Sequence, residues 1–177
     1  MSEHFISVDI ETSGPIPGKF SLLSIGACVV GDEDNSFYSI LRPISEHADT
    51  AAMLVCGFSL ADLNVAGTEP AAAMENFRDW IISVSANKRP IFVGLNAPFD
   101  WSFINYYFHY FIGNNPFGFA ALDLKAYYMG VTGCQWRETS PSAMSCNLQP
   151  QNSITHNALD DARFQAELFR LMQERLA

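Results

Sequence analysis

The sequence predicts a single α/β domain in which a central mixed β-sheet is flanked by helices, with residues 1–177 as one unit. Three observations carry this. A chain of 177 residues with 49% hydrophobic content suits one domain built on one substantial core. Strand-like runs joined by short turns come first, and helical and strand-like segments alternate after them, the order that gives an α/β fold. No internal repeat, low-complexity tract or composition shift divides the chain.

The elements follow in order. Phe5 to Ile10 is a short apolar-leaning run that reads as a strand, broken by the stretch Ser13 to Gly18. Leu22 to Val30, rich in small and β-branched residues, reads as a central strand. Gly31 to Asn35 reads as a hairpin turn into a third strand, Ser36 to Leu41, so the sheet starts as an antiparallel meander. From Glu69-Pro70 the residues Met74, Phe77, Ile81 and Val84 recur at helical spacing. Pro90 to Leu95 is a compact apolar strand, and Ala97 to Ile112 a helix apolar on nearly every side and therefore buried. Ala120 to Leu122 reads as a short strand, with Asp123 placed to cap a helix over Leu124 to Met129. Val131 to Thr155 reads as polar and irregular, apart from one short turn that Ser140-Pro141 can cap. Asn157 to Leu176 carries Leu159, Ala162, Ala166, Phe169 and Met172 on one stripe, an amphipathic helix.

Composition excludes several classes. No apolar run reaches the roughly 18 residues that a membrane helix needs. The start, Met1-Ser2-Glu3-His4, shows no cationic segment before an apolar stretch, so a cytoplasmic protein without a secretory signal is expected. Cys28, Cys56, Cys134 and Cys146 lie far apart without a CxxC pair and read as reduced thiols. The net charge of −9 argues at first sight against a nucleic-acid partner, because broad basic surfaces neutralise phosphate.

The acidic residues reverse that inference. Asp9 and Glu11 sit two apart at the end of the first strand, so both carboxylates point to one face. Asp100 opens the aromatic helix beside Phe99, Trp101 and Phe103, where an unpaired carboxylate is costly to desolvate unless a cation meets it. Asp160 and Asp161 begin the last helix just after His156, and Asp161 lies closer to the deep side of the buried stripe. Read singly, each has a plain structural explanation as a solvated or dipole-favoured acid. Four carboxylates on separate elements, each at a strand or helix terminus, are what a two-metal phosphoryl-transfer site requires. Oxygen ligands without cysteine suit magnesium, and a neighbouring histidine can take a proton from water.

These residues carry a resemblance. Asp9-Ile10-Glu11-Thr12 resembles the D-x-E motif of the DEDDh 3′–5′ exonucleases of the ribonuclease H-like superfamily. That group includes proofreading exonucleases, ribonuclease T and oligoribonuclease. Asn96, Phe99 and Asp100 resemble its second motif, and His156, Ala158 and Asp161 its third, H-x-A-x-x-D; the three occur in family order. The resemblance implies a ribonuclease H-like fold, one exonuclease domain over residues 1–177, and two Mg²⁺ or Mn²⁺ ions on Asp9, Glu11, Asp100 and Asp161, with Asp9 bridging both. It implies that His156 is the general base for attack on a terminal phosphodiester, and that the backbone at Glu11–Thr12 holds the 3′-hydroxyl. Leu95 stands where many relatives carry histidine. Asp123 stands where relatives often carry a structural aspartate, and reads as a helix cap.

Substrate contacts are expected at the edges of the site. Ten of the 21 residues from Phe99 to Phe119 are aromatic, mostly core in this reading, since Phe103, Tyr106, Tyr107 and Tyr110 belong to a buried helix. Phe99 and Phe20 are the candidates for stacking on bases, and Leu22 or Leu23 for wedging between them. Asn96 and Thr12 complete the expected substrate-binding set, while Lys19 and Arg137 border the cleft on two loops. The basic residues form no stripe, which favours a grip on a few terminal nucleotides of single-stranded nucleic acid or short oligonucleotides. Two divalent ions would also offset part of the −9 net charge. The segment before His156 is expected to act as a mobile flap. A homodimer through the aromatic helix is an arrangement that ribonuclease T suggests. The rival reading is a non-catalytic nucleic-acid-binding or partner subunit that retains the fold.

Overall fold

In the computed structural model, which describes residues 2–175, the strand β1 (Glu3–Thr12) forms the axis of the sheet. Antiparallel to it runs β2 (Leu22–Val29), and antiparallel to that β3 (Asp32–Ile40) at the edge. On its other side β1 pairs in parallel with β4 (Arg89–Gly94), which pairs in parallel with the short β5 (Ala121–Asp123). The order is β3-β2-β1-β4-β5, a five-stranded mixed sheet with the expected initial meander.

Period-two alternation along β1 separates structure from chemistry. Ile6, Val8 and Ile10 are buried in the main core with α3 (Pro70–Ser85) and α4 (Ala97–Tyr107). There Phe37 of β3, Phe77 of α3 and Phe108, just beyond α4, stack in series, with ring centroids 4.9 and 5.6 Å apart. The opposite face carries Ser7, Asp9 and Glu11 and is covered by α7 (Ala158–Glu174), whose Phe169 meets Phe5 edge-on at 5.0 Å. Outside α7, α5 (Leu124–Thr132) and α6 (Pro141–Leu148) complete a second cluster around Leu124, Met144 and Leu168. Helices therefore cover both faces of the sheet.

The approach of α7 depends on one glycine. Gly26 of β2 is the register partner of Asp9, and a Cβ there would lie 2.1 Å from the backbone carbon of Ala158 and 2.2 Å from the nitrogen of Leu159. Backbone, unlike a flexible side chain, cannot swing aside. Gly26→Ala is therefore expected to displace the start of α7 and cost about 1–3 kcal/mol, read as a lower urea midpoint.

Several elements differ from the sequence expectation. The hairpin turn is tighter, because Val29 already pairs with Asp32 around Val30 and Gly31 (φ 85°), so the acids placed in a loop lie on the exposed edge strand. A charged edge resists further strand pairing. The aromatic helix is α-helical only to Tyr107; Phe108–Ile112 form a π-helical turn that ends at Gly113 (φ 81°). The helix after Asp123 continues to Thr132. Two short helices lie where no element was expected: α1 (Thr50–Cys56) capped by Asp49, and α2 (Leu60–Ala66) capped by Ser59. No residue of α1 is buried, so it carries no apolar stripe for periodicity to detect. The segment expected to be irregular holds a 3₁₀ turn at Trp136–Glu138 and the eight-residue α6. The last helix is capped by Asn157 and described to Arg175; Leu176, like Met1, lies outside the described residues. Among the described residues no helix is long and apolar enough to cross a membrane.

Candidate active site

The sheet brings the three motifs together at the end of β1. Asp9 and Glu11 project from β1 toward α7, just before the β1–β2 register shifts between Glu11 and Thr12. Asp100 enters from the first turn of α4, which the chain reaches by reversing at Asn96 in the left-handed conformation (φ 64°), a geometry asparagine tolerates. Asp161 enters from the first turn of α7, 6% exposed, whereas Asp160 faces outward and lies 3.5 Å from Arg163. Of the two aspartates it is therefore Asp161 that turns toward Glu11 and His156. Ligand atoms of Glu11, His156 and Asp161 lie within 4.8 Å of one another.

Asp161 also organises the segment in front of its helix. Its carboxylate accepts the backbone N–H of Thr155 at 2.7 Å and of His156 at 3.1 Å. His156, exposed and in the left-handed conformation (φ 61°), is thus held at the lip of the site by the backbone. Six residues further along α7, Glu167 accepts the N–H groups of Gln151 and Asn152 at 2.8 and 2.9 Å. These bonds hold its carboxyl below the usual range against the opposing effect of burial. The approach to His156 is therefore pinned to α7 at two points.

The carboxylates strain one another electrostatically. Burial, then the charges of Asp100, Asp161 and Glu11, push the Asp9 carboxyl well above its ordinary range, opposed by a hydrogen bond from Gln165. Burial and the charge of Asp161 push Glu11 up to about 7. Burial raises Asp100 to about 8, with Glu11 and Asp123 adding to the rise and backbone hydrogen bonds opposing it. A cluster whose ionisation is opposed by burial and mutual repulsion, and that offers oxygen donors without thiolate, fits divalent cations of the magnesium type.

Asp123 acts as the expected cap and also does more. One carboxylate oxygen accepts the N–H of Ala126 at 2.8 Å, starting α5, and the other accepts that of Ala97 at 2.7 Å, starting the helix that carries Asp100. Both oxygens are committed to helix ends.

The expected substrate contacts divide. Asn96 is exposed at the entry to α4, and Phe99 is half-buried with its ring 5.5 Å from Phe103. Thr12 is buried and its hydroxyl donates to the carbonyl of Gly14 at 3.0 Å. Phe20 lies on the loop after the first motif, but its ring covers Gly14 closely enough that any Cβ there would collide. The wedge expectation for Leu22 and Leu23 is corrected: both are fully buried, because β2 is enclosed on both faces, and neither offers a side chain to a base. Lys19 sits on that loop with its amine 5.3 Å from the Phe20 ring centroid, and Arg137 lies in the 3₁₀ turn.

Sequence reading passed over Gln165 and Glu167. The available signal was a polar residue one helical turn beyond Asp161, inside a stripe otherwise made of Ala162, Ala166 and Phe169.

Residues 4–173 match the family described as the Rv2179c-like 3′–5′ exoribonuclease domain. The chain is 54% identical over 173 residues to the 3′–5′ DNA exonuclease Cap18 of Escherichia coli, covering 97% of this chain and 92% of that protein. Its fold is similar to the nuclease domain of 3′hExo, a DEDDh family member solved with rAMP, with a TM-score of 0.80 at 13% identity over 97% of this chain and 92% of that one. It is also similar to E. coli Exonuclease I in complex with a dT13 oligonucleotide, with a TM-score of 0.75 at 17% identity, covering 98% of this chain and 42% of that one. With the motifs converging as described, the chain belongs to the Rv2179c-like 3′–5′ exoribonuclease domain family and is a 3′–5′ exonuclease that shares the fold of the 3′hExo nuclease domain.

Proposed function

We propose that this enzyme removes 5′-nucleotides from the 3′ end of short or single-stranded nucleic acid by a two-metal mechanism with His156 as general base. The observation that carries the reading is the cluster of Glu11, His156 and Asp161 within 4.8 Å, set among carboxyls that repel one another. Asp9, Glu11, Asp100 and Asp161 would hold two Mg²⁺ or Mn²⁺ ions. Such ions supply positive charge to the attacking and leaving oxygens of the phosphodiester. His156 takes the proton of the attacking water as its oxygen bonds to phosphorus; the bond to the 3′-oxygen breaks, and that oxygen takes a proton from solvent water to leave a 3′-hydroxyl on the shortened strand. The backbone at Glu11–Thr12 receives the terminal 3′-hydroxyl, and Asn96, Phe99 and Phe20 border the terminal nucleotide.

DNA is the first substrate in this reading, because the relative at 54% identity is a DNA exonuclease; the exoribonuclease description of the family makes RNA the second. The free cysteines support work in a reducing, cytoplasmic setting. Tyr110, expected in the core, is instead exposed in the π-helical turn after α4, and this supports a homodimer there, which sedimentation velocity reads.

The test is incubation with Mn²⁺ and 3′- or 5′-labelled DNA and RNA oligomers in a length series. Stepwise shortening from the 3′ end with 5′-nucleotide release is expected, with DNA cut faster. Intact oligomers of every length would favour the non-catalytic subunit, and faster cutting of RNA would reverse the order of substrates.

A further inference from the structure

Gln165 is 3% exposed, and both ends of its buried amide are hydrogen-bonded within the site. Its Oε1 accepts the backbone N–H of Leu95 at 2.9 Å, where the chain leaves β4 for Asn96 and α4. Its Nε2 donates to Oδ1 of Asp9 at 2.6 Å. The orientation of the amide is forced. Leu95 N–H is a donor and needs an acceptor, so the NH₂ end must face Asp9, and reversing the amide would break both bonds. One side chain therefore ties together β1 with Asp9, the β4–α4 junction that leads to Asp100, and α7 with Asp161.

We propose that Gln165 is a positioning residue that fixes the orientation of the Asp9 carboxylate for divalent cations. The proposal rests on the reading of Asp9 as a metal ligand. A donor bonded to Oδ1 stops the carboxylate from rotating, favours its ionised form, and leaves Oδ2 and the second lone pair of Oδ1 to a cation. Glutamine does this without adding charge. Glutamate at 165 would keep the bond to Leu95 but set a fifth carboxyl against Asp9. Methionine would keep the volume but lose both bonds.

The test is calorimetric titration of the purified protein with Mn²⁺ in the absence of nucleic acid, alongside turnover at saturating Mn²⁺. Gln165→Met is expected to weaken Mn²⁺ binding about 10–100-fold, the usual cost of losing a residue that orients a ligand. In an Asp9→Asn background the same change should add less than about twofold, because the group it acts on is gone. Gln165→Glu retains the Leu95 bond, and so the local fold. It is expected to bind Mn²⁺ as tightly as the parent or tighter, yet turn over at least about tenfold more slowly when saturated. Parental Mn²⁺ affinity in Gln165→Met, an undiminished effect in the Asp9→Asn background, or parental turnover in Gln165→Glu would each overturn the proposal. If Asp9→Asn alone binds Mn²⁺ like the parent, it is the ligand reading of Asp9 that fails.

Discussion

Asp100→Asn is expected to abolish nucleotide release while making the metal-free protein more stable at alkaline pH. Asparagine keeps the shape of the side chain and removes one buried charge from a cluster that already repels itself. In the enzyme the lost carboxylate is expected to cost about three orders of magnitude in kcat, equivalent to ~4 kcal/mol of transition-state stabilisation. For stability the sign is set by linkage. Burial raises the Asp100 carboxyl to about 8, far above its value in the unfolded chain. Between about pH 4 and pH 8 the folded protein therefore binds more protons than the unfolded one, and stability falls as pH rises through that window. The asparagine variant lacks this contribution, so in EDTA its Tm should exceed that of the parent at pH 8 and converge with it below about pH 4. The gain is on the order of a few kcal/mol at most. Adding Mn²⁺ at pH 8 should raise the Tm of the parent more than that of the variant. Thermal unfolding with and without Mn²⁺ checks this; a variant less stable than the parent at pH 8 in EDTA would contradict the repulsion argument.

His156→Ala is expected to slow hydrolysis by about 10²–10⁴, the usual contribution of a positioned general base, with little change in substrate affinity. His156 is exposed and is placed by its backbone N–H on Asp161, so removing the imidazole leaves both the fold and that hydrogen bond intact. Single-turnover kinetics with a labelled oligonucleotide separate the two quantities. Added imidazole should restore part of the rate in the alanine variant, which a purely structural role would not allow. Unchanged single-turnover rates would assign the proton transfer elsewhere.

The order and type of the strands, the buried aromatic helix and the amphipathic last helix were legible because each rests on local chemistry. β2 is a continuous run of buried small and branched residues, and α7 repeats its apolar stripe over four turns. α1 and α2 escaped because short helices held by caps at Asp49 and Ser59 carry little periodicity. α6 was reduced to a single turn for the same reason: beyond the Ser140 cap, Met144 and Leu148 are its buried residues. The acids of β3 looked like a turn because an exposed edge strand needs no apolar alternation.

By itself, the sequence determined the candidate set for the proposed reaction. Asp9 and Glu11 share a strand face, Asp100 and Asp161 each begin a helix, and His156 precedes one; residue type and spacing suffice because such chemistry requires particular functional groups. Tertiary structure alone decided how those groups stand toward each other. It closed α7 onto Gly26, turned Asp161 inward and Asp160 outward, and buried Leu22 where a wedge was expected. It also delivered Gln165 to Asp9 across 156 positions of chain. Contacts at that separation depend on how β1, β4 and α7 pack together, and no local pattern of polar and apolar residues encodes them.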